Sequence, residues 1–108
     1  MNAEEKKRLI DAYKEKRETG GVYCIECAGN QRRWIKSTAD MEGVRNRFQF
    51  AIRIKGCPDP AMRREWEAYG SESFTFTPLE ELRRGETQTA REFAEDLETL
   101  LEMWREKE

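Results

Sequence analysis

The 108-residue sequence contains no histidine, only three cysteines and three prolines, and no long run of apolar residues. A structural zinc site needs four nitrogen or sulfur ligands, so this composition disfavours a zinc-stabilised fold. No stretch approaches the roughly 18 consecutive apolar residues of a membrane span. The first 19 residues carry charges every few positions and do not resemble a signal peptide. We therefore expect a soluble, cytoplasmic protein with one compact domain and no membrane association.

The three cysteines leave a thiol-based function open as one alternative. Cys24 and Cys27 form a Cys-x-x-Cys motif, and Cys57 is the third thiol. This spacing is found in metal and redox sites, but side chains three positions apart in a regular strand point to opposite faces of the sheet. The alternative function is a sensor of a soft metal or an oxidant that uses free thiols.

The spacing of apolar residues predicts an α+β domain with two layers, in which helices pack on three strands. A helical extension over residues 1–19 precedes the domain proper, which spans residues 20–108. A turn with Gly29 and Asn30 joins the first two strands into a β-hairpin. In chain order, the domain is predicted to contain strands over 22–27 and 32–36, helices over 41–56 and 60–70, a strand over 74–77 and a helix that carries the apolar stripe of 93–104.

Charge is distributed unevenly along the sequence, although the net charge is only −2. Residues 31–64 contain nine Lys or Arg against three Asp or Glu, whereas residues 65–108 contain five against thirteen. The small net charge does not indicate a nucleic-acid-binding protein held by bulk electrostatics. The basic middle segment favours a local patch that faces an anionic partner.

Several motifs resemble those of one known family. Gly21-Val22-Tyr23 is similar to its GIY element, and Trp34-Ile35-Lys36 stands at its YIG element on the paired strand. The combined pattern resembles the GIY-YIG nuclease domain, in particular a branch of small stand-alone members, over roughly residues 20–105. The resemblance implies a three-stranded antiparallel sheet flanked by helices. The other matching positions are Lys55-Gly56, Trp66, Tyr69-Gly70, Phe74, Phe76, Leu79-Glu80, Asp96-Leu97, Leu100 to Glu102 and Trp104.

The family's chemistry maps onto the hairpin of this sequence only in part. Nucleases of this family hold one divalent metal, Mg or Mn, with a glutamate, and they use tyrosines to activate water. Tyr23 matches the first tyrosine. Trp34 replaces the second, and an indole N–H donates a hydrogen bond but does not act as a base. Lys36 replaces the glycine that lets a substrate approach the backbone.

The helical positions of the family's site have also changed. The arginine position falls on Val44, a histidine position on Phe48 and the metal-binding glutamate on Leu101. Arg45 and Glu102 each follow one residue later. Because Val44 and Leu101 lie on the apolar stripes of their helices, we expect these two residues and Phe48 to form an apolar floor in place of a polar cleft.

The leading hypothesis from the sequence is a catalytically degenerate GIY-YIG domain that acts as a binding or regulatory module without a cofactor. Its expected partner is a nucleic acid or a flat anionic small molecule, and the N-terminal helix is a candidate for oligomerisation. The alternative is a metal-dependent endonuclease in a shifted register, with Tyr23, Arg45 and Glu102 as catalytic residues, Glu102 as metal ligand and Mg or Mn as cofactor. The expected binding residues are Tyr23, Trp34, Lys36, Arg45, Arg47 and Phe48.

Overall fold

The computed structural model describes Ala3 and residues 19–107 of the chain. The predicted N-terminal extension, and with it the suggested role in oligomerisation, lies outside these residues. The described part contains strands β1 (Thr19–Cys27), β2 (Arg33–Thr38) and β3 (Phe74–Arg83), together with helices α1 (Met41–Ile54), α2 (Arg63–Tyr69) and α3 (Ala90–Glu106). No helix in this part is long and apolar enough to cross a membrane.

The three strands form one antiparallel sheet in the order β2-β1-β3, which confirms the predicted α+β class and sheet. In the hairpin, Tyr23 pairs with Lys36, so both side chains lie on the same face. Strand β3 extends to Arg83, six residues beyond the predicted strand. Pro78 lies within it, which an edge strand tolerates because its outer N–H groups need no partner.

Helices cover both faces of the sheet, so the predicted two-layer arrangement is wrong. Residues alternate between the faces along β1. One face carries Val22, Cys24 and Ile35, which pack against Leu100, Leu101 and Trp104 of α3. The opposite face packs against α1 and α2 and forms the larger core, whose buried members are Tyr23, Ile25, Cys27, Trp34, Met41, Phe48, Ala51, Met62, Trp66 and Phe74.

Side chains at the helix ends fix where α1 and α3 begin. Asp40 caps α1, since its Oδ1 accepts a hydrogen bond from the Gly43 N–H at 3.0 Å. Thr89 and Glu92 form a reciprocal capping box at the start of α3, with N–H to oxygen distances of 3.0 and 3.1 Å. These caps leave the inner faces of both helices free for apolar residues that contact the sheet.

Candidate functional site

A pocket of about 330 Å³ lies on the α1 face of the sheet, between the hairpin, α1 and the segment before α2. Four of its lining residues are polar or charged: Tyr23, Lys36, Arg47 and Asp59. Its remaining walls are apolar and are formed by Ile25, Val44, Phe48, Phe50, Ala51, Pro58 and Met62. An apolar concavity with a few convergent polar groups is the usual form of a small-molecule site.

The local structure explains why these side chains converge. Tyr23 and Lys36 are cross-strand neighbours on one face of the hairpin. On α1, Val44, Arg47 and Phe48 lie within one turn of each other and therefore line the same side of the helix. Asp59 closes the pocket from the loop before α2, where its Oδ1 accepts a hydrogen bond from the Ala61 N–H at 2.9 Å.

Lys36 and Asp59 form an ion pair in the wall of the pocket. The Lys36 ammonium donates a hydrogen bond to Oδ2 of Asp59. This bond, followed by the one from the Ala61 N–H, lowers the pKa of the Asp59 carboxyl below its ordinary value. Asp59 is therefore ionised at neutral pH, and its charge offsets that of Lys36.

Arg47 supplies a cationic group that is exposed to solvent at the pocket. No hydrogen bond or ion pair joins it to any residue between 19 and 107. A guanidinium group remains charged at all physiological pH values and presents several donors in one plane. Arg47 is thus available to an anionic ligand.

Tyr23 lies mostly inside the protein, with 8% of the residue exposed, and its ring stacks on Phe76 with centroids 5.0 Å apart. Burial raises the pKa of its phenol, the nearby Asp59 carboxylate raises it further, and Arg47 partly opposes this shift. The raised pKa keeps the hydroxyl protonated at neutral pH. Tyr23 is therefore suited to donate a hydrogen bond and poorly suited to accept a proton as phenolate.

Arg45 belongs to a neighbouring, more open pocket of about 410 Å³, which shares Phe48 with the first. The Arg45 guanidinium carbon lies 5.9 Å from the centroid of the Phe76 ring, within the range of a cation–π contact. Five of the six expected binding residues thus line two adjacent pockets. The structure brings Tyr23, Lys36, Arg47 and Phe48 together at the first one.

Trp34 lines neither of these two pockets, and its place at a binding groove stays a prediction. It is 9% exposed and packs in the core beside Phe74, with ring centroids 6.0 Å apart. The Arg32 guanidinium covers the ring at 4.9 Å from its centroid. In the hairpin, Trp34 pairs with Ile25, whereas Lys36 pairs with Tyr23.

The predicted floor of Val44, Phe48 and Leu101 does not form. Val44 and Phe48 contact the core under α1, whereas Leu101 packs on the other side of the sheet. Glu102 is an exposed residue of α3. The sheet therefore separates Glu102 from Tyr23 and from the helix that carries Arg45.

These positions do not fit the divalent metal that the family resemblance implies. The suggested metal ligand, Glu102, and the suggested catalytic residue Arg45 belong to helices on opposite faces of the sheet. Over residues 19–107, no group of three or more Cys, Asp or Glu side chains is placed to hold a metal ion. No catalytic step through a metal can be derived from this arrangement.

The cysteines are also separated. Cys24 contacts the α3 side of the sheet and Cys27 the α1 side, as expected for residues three apart in a strand. Both are buried, and all three thiols are free. Cys57 is half-buried and donates a hydrogen bond from its Sγ to the Asp59 carbonyl at 3.0 Å. Cys24 and Cys27 cannot share one metal ion in this fold.

Sequence reasoning missed Asp59, Phe50 and Met62 as pocket residues. The Asp-Pro sequence at 59–60 indicates a helix start, and Asp59 does cap the turn Pro60–Met62. Its pairing with Lys36 joins residues 23 positions apart, which no local pattern reveals. Phe50 is 57% exposed and lies outside the apolar stripe used to predict α1.

Comparison with models of protein families, with curated proteins and with solved structures finds no match to this chain. The resemblance to the GIY-YIG domain therefore stays a prediction from sequence motifs. Functional interpretation depends on the chemistry of the pocket itself.

Proposed function

We propose that the protein is a GIY-YIG-like domain with a degenerate active site, which binds a small, flat, anionic molecule and does not cleave nucleic acid. One observation carries the proposal: Tyr23, Lys36, Arg47 and Phe48 converge on a single pocket of about 330 Å³. This volume lies at the lower end of the range for small-molecule sites, roughly 300–1,000 Å³. The three unpaired thiols accord with a cytoplasmic location, which forms part of the proposal.

Each part of the pocket has a role in this mode of binding. An aromatic ring packs against Phe48 and Phe50 and loses contact with water, which favours binding. The anionic group of the ligand accepts hydrogen bonds from the Arg47 guanidinium, which stays charged. The Tyr23 hydroxyl, which like any phenol is protonated at neutral pH, donates a further bond.

Two features support binding over phosphodiester cleavage. Glu102, the suggested metal ligand, belongs to the helix on the far side of the sheet from Tyr23. The raised pKa of Tyr23 also disfavours the phenolate that would accept a proton from water. Tyr23 is therefore better suited to the pocket as a hydrogen-bond donor than to a nuclease site as a base.

Fluorescence titration with 8-anilinonaphthalene-1-sulfonate, an aromatic monoanion, tests the binding function. We expect saturable binding to one site and a Kd about threefold higher in an Arg47→Gln variant, since exposed ion pairs contribute less than about 1 kcal/mol. Arg53→Gln is the matched control, because Arg53 is an exposed arginine of the same helix outside both pockets. Equal effects of the two variants would refute the assignment.

Nicking of a supercoiled plasmid with Mg or Mn tests the alternative function. We expect no nicking by the wild-type protein. Nicking that disappears in a Glu102→Ala variant would establish a metal-dependent nuclease and overturn the proposal. Nicking that is the same in both proteins would come from a contaminant and leave the proposal standing.

A further inference from the structure

We infer that the pocket selects aromatic monocarboxylates over aromatic phosphates, and that Asp59 determines this selectivity. The inference rests on the proposed function and names the ligand class of that site. It follows from the way three charged side chains share the pocket: Lys36, Arg47 and Asp59.

The Asp59 carboxylate is held in position at both of its oxygens. One oxygen accepts from the Ala61 N–H at 2.9 Å, and the other accepts from the Lys36 ammonium. A carboxylate held at both oxygens keeps its place in the wall when a ligand enters. Lys36 is consequently already paired, and its charge is not available to a second anion at full strength.

One positive charge of the pocket remains for a ligand. With Lys36 paired to Asp59, the pocket presents the single uncompensated charge of Arg47, which has no partner between residues 19 and 107. A planar guanidinium pairs with a carboxylate through two parallel hydrogen bonds. One such pair neutralises both groups, so a monocarboxylate matches the pocket.

A phosphate monoester fits this charge pattern less well. It carries between 1.5 and 2 negative charges at about pH 7. After pairing with Arg47, the excess negative charge finds no second free cation in the pocket, because the Asp59 carboxylate already holds Lys36. Asp59 therefore disfavours dianions by keeping Lys36 engaged, and an element that works against the wrong ligand is a common source of specificity.

The apolar walls of the pocket favour a ligand whose remaining surface is also apolar. Ile25, Val44, Phe48, Ala51 and Met62 supply apolar surface, and the polar groups lie beside it. The polar atoms of a sugar or a peptide would lose their hydrogen bonds to water on entering the pocket, and these apolar residues offer no new partners. A bicyclic aromatic ring with one carboxylate combines the required shape, apolar surface and charge.

Competition among three naphthalene compounds tests the inference. Displacement of bound 8-anilinonaphthalene-1-sulfonate is measured at pH 7.5 with 2-naphthoate, 2-naphthyl phosphate and 2-naphthol, which share one ring system and differ in charge. In the wild-type protein we expect 2-naphthoate to bind most tightly. The matched variants are Asp59→Asn and Asp40→Asn, which make the same change at two helix-capping aspartates, one in the pocket and one outside it.

Asparagine preserves the cap at both positions, so both variants should fold. In Asp59→Asn, Lys36 is released and becomes available to a second negative charge of the ligand. We expect 2-naphthyl phosphate to bind about fivefold more tightly than in the wild-type protein, with a smaller change for 2-naphthoate. In Asp40→Asn, the wild-type order of affinities should remain.

The outcomes separate this inference from the proposed function. If 2-naphthyl phosphate binds the wild-type protein as tightly as 2-naphthoate does, and Asp59→Asn leaves its affinity unchanged, the proposed selectivity is refuted. The pocket would then bind anions without this selectivity. If 2-naphthol binds as well as both anions, or if none of the three compounds binds, the proposed function fails, and the inference fails with it. If Asp40→Asn changes the affinity for 2-naphthyl phosphate as much as Asp59→Asn does, the role of Asp59 in selectivity is also refuted.

Discussion

Replacing Phe48 by alanine provides a sharp test of the packing of α1 on the sheet. Phe48 is 5% exposed, and its ring centroid lies 5.7 Å from that of Phe76. Phe→Ala substitutions in a core lower the free energy of unfolding by about 3–5 kcal/mol, through lost apolar burial and the remaining cavity. Because Phe48 borders the pocket, where water can reach the cavity, we expect a value near the lower limit, about 3 kcal/mol.

Phe50→Ala is the matched control, since it makes the same change two residues further along the same helix. Phe50 is 57% exposed, so burial of the remainder stabilises the fold by about 1 kcal/mol. Alanine has the higher helix propensity, by about 0.5 kcal/mol, which offsets half of this loss. The expected net effect is therefore about 0.5 kcal/mol.

Urea unfolding, followed by the fluorescence of the three tryptophans and by circular dichroism, measures both values. We expect the Phe48 variant to lose about 2.5 kcal/mol more than the Phe50 variant, with similar dependence on urea concentration. Equal losses in the two variants, or a larger loss for Phe50→Ala, would refute the packing of α1 described here.

Three further predictions concern the backbone, a helix cap and pH. Gly21→Ala should lower the free energy of unfolding by about 2 kcal/mol or more. The backbone φ of Gly21 is +147°, and an added Cβ would clash with the Glu80 carbonyl. An unchanged midpoint of thermal unfolding would contradict this prediction. Thr89→Ala should lower the free energy of unfolding in urea by about 1 kcal/mol. Thr99→Ala, at an exposed position of the same helix, should leave it nearly unchanged. Equal effects of the two substitutions would contradict the role of Thr89 as the helix cap. The fold lowers the pKa of Asp59, so the stabilisation from this carboxylate is complete above its ordinary pKa and is lost as pH falls through the folded-state value. The difference in free energy of unfolding between the wild-type protein and Asp59→Asn should therefore shrink below about pH 4. A difference that grows at low pH would contradict the predicted direction of this pH dependence.

Local signals in the sequence were sufficient for much of the fold. Alternating residues around the Gly29-Asn30 turn predict the β1–β2 hairpin, and the predicted helix start at residue 41 coincides with that of α1, which Asp40 caps. Strand β3 was predicted too short, because Pro78 and the charged residues after it do not follow the apolar alternation of a half-buried strand. On an edge strand, these residues are compatible with the sheet.

The arrangement of the layers was not visible in the sequence. Apolar stripes identify the buried side of α1 and of α3, but they do not state which face of the sheet each helix covers. Val44 and Leu101 both occupy such stripes and nevertheless lie on opposite sides. In the structure, β1 is buried continuously from Gly20 to Ile25, as expected for a strand covered on both faces.

The candidate site was predictable where it depends on one strand or one helix. Tyr23, Lys36, Arg47 and Phe48 were expected at a binding site, and they line one pocket. Asp59 was not expected there, since its contact with Lys36 depends on how the loop before α2 folds back. Such long-range pairs follow from tertiary packing and have no local signature.

Chemical-shift mapping with 2-naphthoate on ¹⁵N-labelled protein is the most direct test of ligand binding at the pocket. We expect the amide signals of Tyr23, Lys36, Arg47, Phe48 and Asp59 to shift together with a single Kd, without added metal, while those of the C-terminal half of α3 do not change. Shifts that are centred on Leu100–Glu102, or that require Mg or Mn, would contradict this expectation.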